Sequence, residues 1–157
     1  MEDFLADFRQ TVESGFVRLQ GISEEQSAIA TAEGKWSIRE IIGHLIDSAA
    51  NNHQRFVRAQ FTDDLVFSGY DQEKWVKVQA YTEEPWENLV QLWRLYNLHL
   101  VHVIARIPEP TLTLTRTKHS LDRIALETIS SDRAVTLEYL VRDYLRHLKH
   151  HLKQIGV

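Results

Sequence analysis

The chain has 157 residues, 43% of them hydrophobic and 25% charged, with a formal net charge of −4; residues 1–157 are read as one helical domain around one core. An acidic balance without a compact run of Lys and Arg excludes a nucleic-acid footprint and argues against a membrane surface. Cysteine is absent, which removes disulfides, thiolate metal sites and cysteine nucleophiles and leaves His, Asp and Glu as the available ligands.

The first segment, MEDFLADFRQ, is acidic and amphipathic and lacks the basic start and apolar run of a signal peptide. No run approaches the ~18 apolar residues of a membrane span, so the expected location is the cytoplasm. From about Glu2 to Gln20, residues Phe4, Leu5, Phe8, Val12, Phe16 and Leu19 recur three or four apart, which predicts a helix ending near Gly21. Ser37-Ile38-Arg39-Glu40 is a capping-box pattern that starts a second helix running to about Gln60. FTDDLVFSGYDQEKWVKVQAY reads as a loop with a short helical turn around Asp71 to Val76. A third helix opens at Thr82, carries Pro85 in its first turn, and continues through Trp86, Leu89, Trp93, Leu100 and Ile104 until Pro108 and Pro110 stop it. TLTLTRTKHSLDRIALETISSDRA is long for a connection and is expected to hold short strand-like or helical pieces. The last helix begins after Thr136 as N-cap and reaches about Ile155, before Gly156. Four amphipathic helices with two long connections predict an all-α fold, a four-helix bundle with crossovers.

The last helix contains YLRHLKHHLKQI, with three histidines in five positions. On a wheel of ~100° per residue, Leu137, Leu140, Val141, Tyr144, Leu145, Leu148, Leu152 and Ile155 define the apolar arc. His151 falls inside it and His147 on its edge, whereas His150 lies on the polar side with Tyr139, Asp143 and Arg146. Two histidines at i and i+4 stack on one face and can reach one metal ion, although the spacing alone is a weak signal.

Beside the apolar arc of the second helix runs a polar stripe of His44, Ser48, Asn51 and Arg55, with Asn52 between stripe and core. Such a stripe either lines a cavity or continues the solvent face. Asp47 points further outward and is at best a support for a ligand. Asn97 falls in the apolar face of the third helix; a core amide bonded to a neighbouring helix is the favoured reading, a polar cavity the other. His102 reads as exposed, His99 as intermediate, His53 as a satisfied core histidine, and His119 lies in an irregular segment.

GKWSIREIIGHLIDS, GYDQEKW and TLEYLVRDYLRH followed by HLKHHLKQI, in this order over about residues 30 to 155, resemble the DinB/YfiT-like family of metal-dependent proteins. The resemblance implies a DinB-like four-helix bundle of unusual helix order and a divalent metal held by three histidines, His44 from the second helix and His147 and His151 from the last. Many members have Asp directly after the first histidine of the final pair, where this chain has Leu148.

Three neutral imidazoles suit Zn²⁺ or Ni²⁺ best, with Fe²⁺ or Mn²⁺ as alternatives, and leave positions for water or substrate. The expected function is a metal-dependent hydrolase that activates water. The alternatives are a thiol S-transferase using a low-molecular-weight thiol, which the family's relatives imply, and a non-catalytic helical binding module. Ser48, Asn51, Asn52, Arg55 and Asn97 are the candidates for orienting a small-molecule substrate, with Arg55 as an anion clamp. Asp71 is a loop candidate for a base, read in preference as a helix cap or turn residue. Aromatic flanks make a homodimer an expectation.

Overall fold

The computed structural model describes residues 1–157. Four long helices, α1 (Glu2–Gln20), α3 (Ile38–Arg58), α5 (Trp86–Ala105) and α8 (Leu137–Gln154), alternate with the short α2 (Glu24–Ser27), α4 (Gln72–Gln79), α6 (Glu109–Thr113) and α7 (Leu121–Ile124). There is no β-sheet. Isolated bridges pair Leu65 with His119 and Arg116 with Val135, tying the two long connections to each other and to the start of α8.

Helix ends follow the local chemistry. Ser37 Oγ accepts from the Glu40 backbone N–H while the Glu40 carboxylate accepts from the Ser37 N–H at 2.8 Å, an arrangement worth about 1 kcal/mol. Thr136 caps α8 by accepting from the Tyr139 N–H at 3.2 Å. The third long helix starts at Trp86 rather than Thr82, because Pro85 has ψ 131° and serves as its N-cap; the proline also biases Glu84 away from helical geometry. Between Gly21 and Ser37 lies α2, opened by its own capping box of Ser23 and Gln26.

In space the long helices form a ring. α1 packs on α5, α5 on α3, α3 on α8, and α8 back on α1. Thus α1 and α3, and likewise α5 and α8, successive long helices in the chain, face each other across the diagonal and are joined by crossovers, whereas the connection from α3 to α5 joins neighbours. The core between them is closed by Phe8, Phe56 and Tyr144, whose rings lie 5.8 and 5.9 Å apart about the tyrosine, and by the fully buried Trp93. Aromatic pairs at such separations add to the stabilisation from burying their surface. Gly15 lets α1 approach α5, since a Cβ there would stand 3.0 Å from the Trp93 ring.

The start of α3 is anchored by a buried cation. Arg39 donates to the Glu24 carboxylate, to Ser27 Oγ at 2.7 Å and to the Thr82 carbonyl at 2.8 Å. This joins α2, α3 and the approach to α5, and so fixes the rotation of α3 about its own axis. That rotation decides which side chains α3 shows to α8.

Candidate metal centre

α3 contributes His44, and α8 contributes His147 and His151 one turn apart. The three rings are mutually close, with centroids 5.2 Å apart for His44 and His147, 5.0 Å for His44 and His151, and 4.6 Å for the α8 pair. One ring nitrogen from each residue lies within 4.8 Å of the other two. His44 Nε2 and His147 Nε2 are 3.3 Å apart. Two nitrogens bound to one Zn²⁺ at ordinary bond lengths and a tetrahedral angle are separated by about 3.3 Å, so this pair already has the spacing of two ligands.

The far side of two rings accommodates the tautomer that such a role requires. His151 Nδ1 stands 3.0 Å from Gln154 Oε1, and His147 Nδ1 stands 3.5 Å from Ser48 Oγ. An N–H on each Nδ1 leaves the Nε2 lone pair for the cluster. Trp36 packs over His44 with ring centroids 5.2 Å apart. His44 Nδ1 is buried without a partner.

Burial also sets the charge state. Desolvation, with the neighbouring imidazoles adding like-charge repulsion, pushes His147 down to about 3. Desolvation and the charge of His151 push His44 down to about 4. His151 is lowered as well, by burial first, against the opposing effect of its hydrogen bond to the Gln154 side-chain oxygen. At neutral pH all three are therefore uncharged imidazoles, the form that donates a lone pair to a metal. Spacing, tautomer and charge all fit a divalent cation.

The group opens onto a cavity of about 400 Å³ between α3, α8 and the loops before α4 and after α7. Ser48, Asn52 and Arg55 line it along α3, and Tyr70 comes from the loop before α4. Asn51 is not among the lining residues; its amide donates to the Asp47 carbonyl at 2.9 Å. Asn97 is fully buried and lies outside the cavity wall, donating to the Trp93 carbonyl at 2.8 Å and accepting from the Tyr144 hydroxyl at 2.6 Å. It is a core amide that steadies Tyr144, which does face the cavity. His150 is exposed and sits at the rim. Asp71 is the N-cap of α4, accepting from the Lys74 N–H at 3.1 Å.

Two carboxylates depart from their expected exposure. Asp47 is 2% exposed rather than outward-facing, because α4 and its C-terminal turn fold over it. Its Oδ1 accepts from Tyr81 OH and from Gln79 Nε2, both at 2.6 Å. Gly43 makes room for that tyrosine, since a Cβ there would fall 2.1 Å from a ring carbon. Asp143, on the side of α8 read as polar, is also buried. It accepts from the backbone N–H groups of Leu126 at 2.8 Å and Glu127 at 3.0 Å, and from Arg146 at 3.2 Å.

Tyr70 and Asp143 carry no sequence signal of their own as cavity residues. Tyr70 belongs to the family-like GYDQEKW segment, which is the one hint available. Burial and the Asp47 charge raise its phenol to about 12, against the opposing effects of Arg55 and a Ser48 hydrogen bond, so it keeps its proton at neutral pH.

The pattern of the DinB superfamily matches residues 8–155. The chain belongs to the DinB superfamily. Among its relatives, a protein of Oceanobacillus iheyensis is 26% identical over 139 residues, covering 88% of this chain and 73% of that one. A protein of Geobacillus thermodenitrificans is 23% identical over 155 residues, covering 99% of this chain and 82% of that one. Both carry the name "Putative metal-dependent hydrolase". YfiT from Bacillus subtilis, described as "a probable metal-dependent hydrolase with an unusual four-helix bundle topology", superposes with a TM-score of 0.76 at 16% identity, over 99% of this chain and 86% of that one. The mycothiol-dependent maleylpyruvate isomerase superposes with a TM-score of 0.73 at 13% identity, over 99% of this chain and 60% of that one. This DinB chain thus shares the four-helix bundle of YfiT and superposes on part of the isomerase.

Proposed function

We propose that the chain is a metal-dependent hydrolase in which His44, His147 and His151 hold the cation. The observation that carries the reading is the convergence of three neutral imidazoles on the wall of a cavity large enough for a small molecule. The all-nitrogen donor set suits Zn²⁺ or Ni²⁺. A cation bound there supplies Lewis acidity, polarising a carbonyl or phosphoryl oxygen and lowering the pKa of water toward ~7.

The chain's own groups supply the rest. Gln154 Oε1 can accept a hydrogen bond from a proton-bearing Nδ1 of His151 on the side away from the cavity's reacting centre, and Ser48 Oγ stands where it can do the same for His147. Tyr70, protonated at neutral pH, can donate a hydrogen bond to an oxygen that gains negative charge. Leu140, Ile124 and Ala125 line the cavity with apolar surface that displaces water from the substrate.

One observation favours a second reading, thiol transfer with a low-molecular-weight thiol. Asp143 is the one carboxylate on the cavity wall, and its oxygens are engaged by two backbone N–H groups and Arg146. No free carboxylate stands ready as a base, and a thiol, with a pKa of ~8.5 in ordinary surroundings, gives up its proton more readily than water. The fold matches 60% of the mycothiol-dependent isomerase chain.

The test is an assay of protein purified without an affinity tag and loaded with Zn²⁺ or Ni²⁺. Turnover is expected on at least one member of ester, amide and phosphoester panels, and it should disappear in His147→Ala. Turnover that needs mycothiol, bacillithiol, glutathione or coenzyme A would replace hydrolysis by thiol transfer. Bound metal with no turnover on either panel would leave the binding-module reading, and failure to bind metal would overturn all metal-based readings.

A further inference from the structure

The same cavity contains a buried cation that nothing in the chain neutralises. Arg55 is 6% exposed, and burying a guanidinium without a counter-charge is costly. Its hydrogen bonds go to neutral acceptors, Asn52 Oδ1 at 3.4 Å and the Ser68 carbonyl at 3.2 Å. No carboxylate lies within ion-pairing distance, although nine such pairs form elsewhere in the molecule. The contrast with Arg39 is direct, because that equally buried arginine is matched by Glu24. Desolvation lowers the pKa of Arg55, as a cation lacking a partner should show.

Arg55 is also placed in line with the imidazoles. Along α3, Ser48 stands against His147 at 3.5 Å, the Asn52 amide donates to the Ser48 carbonyl at 2.9 Å, and Arg55 follows on Asn52. These residues are about one turn apart, so the row from Ser48 to Arg55 spans about 10 Å, shortened where the long side chain leans toward the helix N-terminus.

We propose that Arg55 forms an anion subsite that selects substrates bearing a carboxylate, held about 5–10 Å from the three imidazoles. The inference rests on reading the cavity as a substrate site. A carboxylate is favoured over a phosphate dianion because the subsite offers one buried guanidinium, whose planar fork matches a carboxylate in two parallel hydrogen bonds. The other arginine on the wall, Arg123, is 71% exposed at its side chain and already lies 3.7 Å from Asp122. The phenol of Tyr70, beside Arg55 and Ser48, adds a neutral donor.

The experiment compares hexanoate with hexanamide, its neutral counterpart, by titration calorimetry on chelator-treated wild-type protein. Hexanoate is expected to bind at least about tenfold tighter, the scale of one charge-assisted hydrogen bond, and Arg55→Gln should bring the ratio close to one. Arg55→Lys should retain part of the preference, and Arg58→Gln, at an exposed position on the same helix, should retain all of it. Equal binding of the two probes by wild-type protein, or no binding of either, overturns the proposal, as does a preference that survives in Arg55→Gln. If Arg55→Gln fails to fold, the wild-type ratio and the Arg55→Lys variant decide in the same terms. Because the probes are not turned over and no metal is present, a carboxylate preference in a protein that hydrolyses nothing would keep the subsite while discarding the hydrolase.

Discussion

Helix α3 borders two groups of histidines, and only one of them has the properties of a ligand set. His53 and His99 have ring centroids 5.0 Å apart, the same separation as His44 and His151. His102 stacks on His99 at 6.3 Å. Yet this second group lies along the outer groove between α3 and α5, with His99 and His102 exposed and His53 packed against Tyr96. Its ring nitrogens do not converge as those of His44, His147 and His151 do. Ring proximity is therefore not enough, and three further conditions separate the groups: one nitrogen from each of three rings within 4.8 Å of the others, polar partners beside the far nitrogens of the α8 pair, and burial deep enough to push His44 to about 4 and His147 to about 3.

The largest contrast is in metal affinity. His147→Ala should weaken Zn²⁺ or Ni²⁺ binding by more than about 100-fold, beyond the range for disturbing a group that merely supports a ligand. His44→Ala should do the same in a competition titration with a chelating dye. A comparable loss in His99→Ala would erase the distinction between the two groups.

Acid offers a second probe, read by chemical denaturation of the metal-free protein at a series of pH values. The folded-state pKa values of about 4 for His44 and about 3 for His147 lie below the ordinary ~6.5. As pH falls the unfolded chain takes up protons first, so stability from the neutral rings is complete above about pH 6.5 and is lost progressively below it, toward about 4 and then 3. His147→Phe should flatten that slope; a slope unchanged by the substitution would show that the ring is not held neutral by burial.

Packing around the inner group is the third. Gly43→Ala forces the Tyr81 ring to move and should cost about 1–3 kcal/mol, the range for overpacking a core, visible as a lower Tm. It should also disturb the hydrogen bond from Tyr81 to Asp47. Ser48→Ala, which removes a long contact to His147 Nδ1, should weaken metal binding by about tenfold, the low end for a supporting group. His53→Ala and His102→Ala should leave it within about twofold, as remote positions usually do.

The sequence made legible whatever depends on a single helix. The apolar period of the first helix gives its limits, Glu2–Gln20, because amphipathic burial and the helix coincide. Ser37 with Glu40 marks the start of α3 because a capping box is a local hydrogen-bond pattern. The wheel separates His150 from its neighbours because all share one axis. What stayed hidden depends on another part of the chain. Asp47 and Asp143 sit on faces that a wheel assigns to solvent, and they are buried by Tyr81 and Gln79 in one case and by the backbone of Leu126 and Glu127 in the other. Tyr70 enters the cavity from a loop, whose path no helical period describes. The nearness of His53 to His99 follows from α3 packing on α5, which is invisible from either helix alone.

The attachment of the cavity wall to Asp143 has a consequence for how such a protein can diversify. The carboxylate grips the wall by the main-chain N–H groups of Leu126 and Glu127, which every residue except proline supplies. Side chains in that segment can change without undoing the clasp, while the clasp itself sits on the helix that carries His147 and His151. Substitutions in the wall can thus reshape what the cavity admits, one position at a time, against a fixed chemical centre.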